Sequence, residues 1–426
     1  MNPADLTDTV ALAWASAPGA TPGQPVRDAA PGVRRPPTLL VIAFQVGSQA
    51  DGGIESLTQL LIRYDTVRIT VLTQAETSKN ERWRKSGARV VVWPAPFGGG
   101  AGGIGAAARR WWRYVAWNIR VARLARRQRI EVAHVNDHKA LWHSIAGLGL
   151  AGVPVVYNIR DTKPRISRWE ALKWRVAFAL TQAQIVLSRE MQGFWGTALG
   201  INGRRLVAIP SIVDFGRMRV LTPPQRREVR GRLRLPETFV AGYVASFSRK
   251  KAQLEFIEQA GPAIKERSPA AQVWFLGDFD PETDPYAAAC RRAVERLGLS
   301  GQFKFRGWVG NVEDWYAALD AVVVATRHEG LARCMIESLA CGTPVVSFDV
   351  CSAREILEAE GGGVVVPQGD YAGLVDVLVR WAAEPEERAV RGRQGAEVAR
   401  RKFAAEGIVA GYLAVYESLR RRGGRP

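Results

Sequence analysis

Short apolar runs punctuate the chain, each followed by a stretch of helical periodicity, and this alternation constrains the fold more than any other feature. Thr38–Phe44 is a nearly continuous apolar run, as a strand buried on both faces requires. Gly47–Gly53 reads as a loop and Ile54–Arg63 as an amphipathic helix. Arg68–Leu72, Arg89–Trp93, Glu131–Val135, Val153–Ile159 and Ile185–Leu187 read as further strands, with a helix beginning near Lys139. A second series starts after Pro223. It has a strand at Phe239–Val244, a helix from Ala252, then strands at Gln272–Leu276, Phe303–Phe305, Ala321–Val324, Pro344–Phe348 and Gly363–Val366. Strands alternating with helices imply an α/β chain with doubly wound parallel sheets, and two such series in 426 residues imply two Rossmann-like domains. Residues 1–36 are rich in Ala and Pro without apolar periodicity and are expected to form a disordered leader. The expected N-terminal domain spans 37–213, the C-terminal domain 214–403, and a last helix and tail 404–426. Ligands of such folds bind beyond the carboxyl ends of the strands, so the expected site is the cleft between two facing domains.

Composition narrows the function. A hydrophobic share of 47 % is that of a globular chain. No apolar run reaches the ~18 residues of a spanning helix. Met1–Leu12 carries Asp5 and Asp8 and no cation, unlike a signal peptide, so a cytoplasmic protein is expected. Four cysteines without CxxC spacing and four histidines give no sign of structural zinc, a disulfide framework or an imidazole-built metal site. The net charge of +18 attracts polyanions: nucleic acid, anionic lipid or phosphorylated substrates. No helix-turn-helix, zinc-finger or RNA-binding signature accompanies it, so no specific nucleic acid is expected.

Three segments carry chemistry. His328–Glu337 (HEGLARCMIE) follows an apolar strand and opens a helix, whose N-terminal amides and dipole favour an anion. Glu329 stands at its mouth, and Glu337 lies about two turns further along, where it can face the same way. Carboxylates accept hydrogen bonds from hydroxyls, as a sugar or ribose ring requires. Val244–Gln253 (VASFSRKKAQ) joins a strand to a helix, and a cation there can neutralise a leaving diphosphate. Asp51–Glu55 (DGGIE) lets backbone approach a phosphate closely; it is not a GxGxxG, so a dinucleotide is not indicated. The bland alternatives are a capping acid, a solvated helix start and a simple turn.

Glu329 to Glu337 resembles the EX7E motif of glycosyltransferase family 4, the group 1 glycosyltransferases. Phe305–Val309 (FRGWV), Asp320–Thr326 and Ser338–Val346 (SLACGTPVV) extend the likeness, which is nearly continuous from Phe275 to Val366 and looser over residues 38–400. The resemblance implies a GT-B fold of two facing Rossmann-like domains with the last helix crossing back. It also implies metal-independent, retaining transfer from a nucleotide sugar of the UDP or GDP type, with no cofactor. The acceptor would be a glycan or lipid-linked molecule in cell-surface polysaccharide or glycolipid synthesis. By the same resemblance Glu329 lies near the transferred sugar and Glu337 holds the donor ribose. The Gly330, Leu331 and Ala332 amides lie by sugar and phosphates, and Gly307, Trp308 and Val309 near the base. Gly52 and Gly53 match the glycine loop, and Lys251 the diphosphate lysine. Ser246 stands where the family has Arg, which leaves Arg249 or Lys250 to substitute. His134 matches the first His of the family's His-x-His. Asn136 stands at the second, and His138 could serve instead. Val155–Asp161 would place Arg160 and Asp161 in the acceptor cleft, and Ile209–Asp214 resembles the interdomain crossing. A degenerate transferase acting as a scaffold of a membrane complex and a basic nucleic-acid-binding protein are the competing classes.

Arg109–Ile130 holds eight Arg, three Trp and no acid. At helical spacing Arg109, Arg113, Arg120 and Arg127 share one stripe, and Trp112, Val115, Ile119 and Ala122 another. Such a helix suits the anionic face of a membrane. The alternative is a helix that packs its Trp side chains on the sheet and leaves its Arg solvated.

Overall fold

The computed structural model describes residues 36–44, 52–63, 66–94, 104–163, 166–201, 206–358 and 361–423, without the side chains of 52–56, 104–106 and 422–423. Nearly all of the expected leader, and the loop as far as Asp51, lie outside the described residues. Two units emerge. One gathers Met1–Arg160, Arg165–Ile212 and Ala405–Pro426; the other gathers Asp161–Pro164 and Val213–Ala404.

The first unit runs β1 (Thr38–Ile42), α1 (Gly52–Arg63), β2 (Arg68–Thr73), α2 (Ser78–Lys85), β3 (Arg89–Val92), α3 (Ile104–Arg127) and β4 (Val132–Val135). It continues with α4 (His138–Leu150), β5 (Val155–Asn158), α5 (Arg168–Ala179), β6 (Ala183–Val186), α6 (Arg189–Leu199) and β7 (Leu206–Ala208). All neighbours pair in parallel, in the order β3-β2-β1-β4-β5-β6-β7. The apolar runs are apolar because they are covered on both faces: Leu39, Leu40, Val132, Val135 and Val156 are buried. From β3 onward each connection steps in one direction across the sheet. Right-handed crossovers therefore put α3, α4, α5 and α6 on one face. Gly52 and Gly53, expected in a loop, form the first turn of α1.

The second unit runs α7 (Pro223–Leu233), β8 (Val240–Val244), α8 (Gln253–Arg267), β9 (Gln272–Leu276), α9 (Pro285–Arg296), β10 (Phe303–Gly307) and α10 (Val312–Ala318). Then come β11 (Ala321–Val324), α11 (Arg333–Ala340), β12 (Val345–Phe348), a π-helical turn (Arg354–Glu358), β13 (Gly363–Val366), α12 (Tyr371–Ala383) and α13 (Pro385–Phe403). Its parallel sheet has the order β10-β9-β8-β11-β12-β13. The buried Asp320 carboxylate, just before β11, fastens α7 to it. It takes bonds from Arg226 at 2.9 Å, Arg230 at 3.1 Å and the Val240 amide at 2.9 Å.

A last helix, α14 (Ala405–Gly423), belongs to the first unit. Its Tyr416 hydroxyl lies 2.7 Å from His134 Nδ1, its Tyr412 hydroxyl accepts from the Asn158 amide at 3.3 Å, and Arg420 donates to Glu131 at 3.0 Å. The helix expected from Ala404 thus returns to the strands β4 and β5.

Candidate active site

The carboxyl ends of β8 and β11 are adjacent in the second sheet, and the loops that follow them bring the basic and acidic motifs together. The loop after β8 is fixed at several points. The Phe247 amide bonds Asp278 at 3.0 Å, the Gln253 side chain bonds the Ser246 carbonyl at 2.8 Å, and the Arg327 amide bonds the Lys250 carbonyl at 2.9 Å. The buried Tyr243 hydroxyl donates to the Lys251 carbonyl. Ala252 takes a left-handed conformation at φ 55°, turning the chain into α8. The Lys251 ammonium consequently points at Glu329 and donates to its Oε1, while Lys250 stands 3.6 Å from Oε2 and 2.6 Å from the Asp161 carboxylate. Glu329 is only 6 % exposed, and its carbonyl takes a 2.8 Å bond from the Thr162 hydroxyl. Burial alone would lower the Lys251 ammonium, but the attraction of Glu329, joined by Cys334 and Asp161, outweighs it and raises the group above its ordinary range. Lys251 is therefore charged whenever the protein is folded near neutrality.

Glu337 sits one helix away from this pair. Contrary to the expectation that the helix opens beside Glu329, α11 begins only at Arg333. Ala332 is its N-cap residue and supplies no side-chain cap. Glu329 is thus not a capping acid but a loop residue, and Glu337 occupies the middle of the helix. Its Oε2 accepts from the Tyr316 hydroxyl at 3.1 Å and its Oε1 from Arg333 at 2.6 Å. Between the two acids Gly330, Leu331 and Ala332 are buried, and the Gly330 carbonyl takes a 2.7 Å bond from Ser352. Gly307 ends β10 at φ 80°, a conformation that favours glycine, and the next residue, Trp308, is exposed. Val309 is half-buried, Ser246 is half-buried and Arg249 exposed.

In the first unit the residues matched to the His-x-His, His134, Asn136 and His138, separate. Asn136, at the end of β4, is buried, and its side-chain oxygen has no hydrogen-bond partner among the described residues. His138 opens α4 inside an aromatic box. Trp142 donates to its Nε2 at 2.7 Å, the Tyr157 hydroxyl lies 3.3 Å from Nδ1, and the Trp174 ring centroid is 4.6 Å away. With both ring nitrogens engaged, this imidazole is built into the packing. His134 is buried and is lowered to about 3, by burial first and then by Arg160. Arg160 also reaches Ser211 at 3.5 Å. Thr162, Tyr316, Arg333 and Tyr243 are the site residues that sequence reasoning missed. Arg333 stands four residues before Glu337 on the same helix, a spacing that could have shown it, whereas no motif spacing links the other three to the acid or lysine they hold. Among the described residues no group of three or more His, Cys, Asp or Glu could hold a metal ion.

The helix α3 divides its aromatics. Trp117 is buried, bonding Ser144 at 3.4 Å, whereas Trp111 is 60 % and Trp112 65 % exposed. Arg109, Arg113 and Arg127 are exposed, and the likewise exposed Arg120 stacks on Trp93 at 4.4 Å. The expected apolar stripe runs along the edge of the packed face: Ala122 is buried, Val115 half-buried and Ile119 exposed.

Residues 238–384 match the family profile described as glycosyl transferases group 1, and residues 52–217 that of glycosyltransferase family 4. A 2-deoxystreptamine N-acetyl-D-glucosaminyltransferase of Streptomyces fradiae is 27 % identical over 274 residues, 59 % of this chain and 63 % of that protein. The lipopolysaccharide core biosynthesis glycosyltransferase LpsE of Rhizobium meliloti is 30 % identical over 152 residues, 36 % of this chain and 43 % of that one. The chain thus spans less than two thirds of the length of these curated relatives. Among solved structures, Anabaena HepE in complex with UDP superposes with a TM-score of 0.74 at 20 % identity, covering 90 % of this chain and 100 % of that one. Sucrose-phosphate synthase from Thermosynechococcus elongatus superposes with a TM-score of 0.72 at 17 % identity, over 90 % and 99 %. These two likenesses concern the fold. No described helix is long and apolar enough to cross a membrane.

Proposed function

The chain belongs to the group 1 glycosyltransferases, with the GT-B fold, and on that premise we propose that it moves a sugar from a UDP- or GDP-type nucleotide sugar to a glycan or lipid-linked acceptor in cell-surface polysaccharide or glycolipid synthesis. The second unit takes the donor and the first the acceptor. The observation that carries this reading is two ammonium groups, Lys250 and Lys251, converging on the nearly buried Glu329. Two cations so placed suit a diphosphate: its oxygens take over the ammonium groups, and Glu329 is released to orient sugar hydroxyls. Lys250 supplies the cation that Ser246 cannot. Glu337, held by Tyr316 and Arg333, accepts from the ribose, and Gly307, Trp308 and Val309 border the base. The backbone at Gly330–Ala332 and at Gly52–Gly53 lies by the sugar and phosphates. Asn136, whose side-chain oxygen has no partner among the described residues, accepts from the acceptor hydroxyl, and Arg160 and Asp161 are further acceptor contacts. HepE was solved with UDP and LpsE is named for lipopolysaccharide core synthesis, which supports both substrate classes. The exposed arginines of α3 suit an anionic membrane surface.

The transfer breaks the anomeric C–O bond, whose electron pair passes to the terminal phosphate oxygen. The acceptor hydroxyl attacks from the same face, and its proton passes to that oxygen. The new bond forms where the old one broke, so configuration is retained. Lys250, Lys251 and the first amides of α11 stabilise the growing phosphate charge, a role that asks for no divalent ion. Thermal stabilisation of the full chain by a panel of nucleoside diphosphates and nucleotide sugars, with EDTA present, tests the reading. We expect a shift for one base, lost in Lys251→Ala and Glu337→Ala. No shift with any of them at millimolar concentration overturns the donor site.

A further inference from the structure

The helix α5 turns an unpartnered apolar stripe to solvent. Trp169, Leu172, Val176 and, just past its end, Leu180 are all exposed, Trp169 by 76 %. At 3.6 residues per turn these four positions fall within an arc of about 80°. Arg168 and Arg175 border the stripe on one side and Lys173 on the other, all exposed, while Trp174 and Ala177 on the opposite side are buried. Across α3, α4 and α5 the only acid is Glu170, and it closes the capping box with Ser167 at the start of α5.

The strand order puts this stripe beside the exposed tryptophans of α3. Both helices lie on the same face of the first sheet, and each follows a strand of that sheet and so runs back from its carboxyl edge. A helix of 24 residues is about 36 Å long, far longer than a four-residue strand, which leaves the first turns of α3 outside the packed layer. The Tyr114 hydroxyl bonds the Trp142 carbonyl at 3.3 Å, which sets Trp111 and Trp112 level with the first turn of α4. Trp169 stands in the first turn of α5, and Lys139, exposed, in the first turn of α4 between them.

We propose that the α5 stripe is a lipid-contacting surface which, with Trp111 and Trp112 of α3, seats the carboxyl edge of the first sheet on an anionic bilayer. Indole rings belong at the headgroup level, with cations around them meeting acidic lipid. A second copy of the chain fits the stripe poorly, because it would bring the same cations face to face with only Glu170, already held in its capping box, as an acid on these helices. The inference deepens the lipid-linked acceptor reading above: such an acceptor would present its sugar at the same sheet edge.

Cosedimentation of the full chain with phosphatidylcholine–phosphatidylglycerol vesicles, and with phosphatidylcholine alone, tests it. The doubly substituted Trp169→Ser/Leu172→Ser protein should partition about tenfold more weakly onto the acidic vesicles, and Trp111→Ser/Trp112→Ser similarly, with binding lost when all four are changed. Leu172→Glu, a single exposed change, should weaken binding in the same direction and keeps the test open if the double variant folds poorly. Unchanged partitioning of both α5 variants alongside loss in the α3 variant overturns the proposal. So does a dimer in sedimentation velocity that the α5 variants dissociate, since a second copy would then cover the stripe. Stabilisation by nucleotide sugar should be equal in all these proteins, so failure of the donor reading registers separately.

Discussion

Lys251 is held between two opposed effects, burial and the Glu329 carboxylate, and the second prevails. An ammonium already desolvated and aimed needs little reorganisation when a diphosphate replaces the carboxylate, which is the condition for strong electrostatic stabilisation. Removing it in Lys251→Ala should lower kcat by about 10²–10³-fold, the magnitude lost with one preorganised donor, measurable as initial rates at saturating donor. Tyr316 has a different role. Its hydroxyl is raised well above the ordinary range by burial and then by Glu337, so it stays protonated and can only donate to that carboxylate. Tyr316→Phe leaves Glu337 to Arg333 alone and removes about 1 kcal/mol of hydrogen bonding, so donor KM should rise about fivefold with kcat nearly unchanged. Equal losses in KM and kcat would mean that Tyr316 supports the fold of the site rather than the ribose contact. The acids and the lysine were legible in the sequence because each belongs to a local motif. Tyr316 and Thr162 were not, because they stand 21 and 167 residues from Glu337 and Glu329 and no local pattern joins them.

At the scale of elements, the pairing of α3 with α4 rests on one close approach. Gly147 is buried against the Asn118 backbone, its amide bonds the Asn118 side-chain oxygen at 2.6 Å, and a Cβ there would collide with the Asn118 carbonyl. Two residues on, a Cβ at Gly149 would meet nothing within 4 Å. Gly147→Ala should therefore destabilise by about 2 kcal/mol or more, while Gly149→Ala should be neutral or stabilising by up to about 1 kcal/mol through helix propensity. Denaturant midpoints of the two variants, read at equal m-value, decide this. Most strands could be read from their apolar runs. β7, three residues long, offers no periodicity to read. The division of α3 into a packed half and a solvent-facing half was equally hidden. Its period is the same throughout, and only the length of the neighbouring elements determines where packing stops.

For the whole molecule, the chain passes between its two units at 160/161, 164/165, 212/213 and 404/405, and the last passage is secured by a buried polar cluster. The return of the last helix was expected from the family resemblance. The assignment of Asp161 to the second unit, where it pairs with Lys250, was not, because it directly follows Arg160, which belongs to the first. The cluster around His134 gives the return a pH dependence. Tyr412 is pushed up to about 12 and Tyr416 is raised well above its ordinary range, both chiefly by burial, so both remain uncharged hydroxyls around a neutral imidazole. His134 in the folded chain is lowered to about 3, whereas in the unfolded chain it titrates near its ordinary 6.5. The unfolded state therefore binds the proton first. The contribution of His134 is fully present above about pH 6.5 and is lost as pH falls toward about 3, at up to about 1.4 kcal/mol per pH unit for one proton. His143, also lowered by burial and then by Lys139, acts in the same sense. Between pH 5 and 6.5, above the ordinary carboxylate range, unfolding free energies from urea titrations should fall with acidification. In His134→Gln the slope should be shallower by up to one proton's share, although the variant is less stable at pH 8. Equal slopes in the two proteins would mean that His134 is not held neutral, and that the last helix is fastened to β4 by packing without the imidazole's charge state.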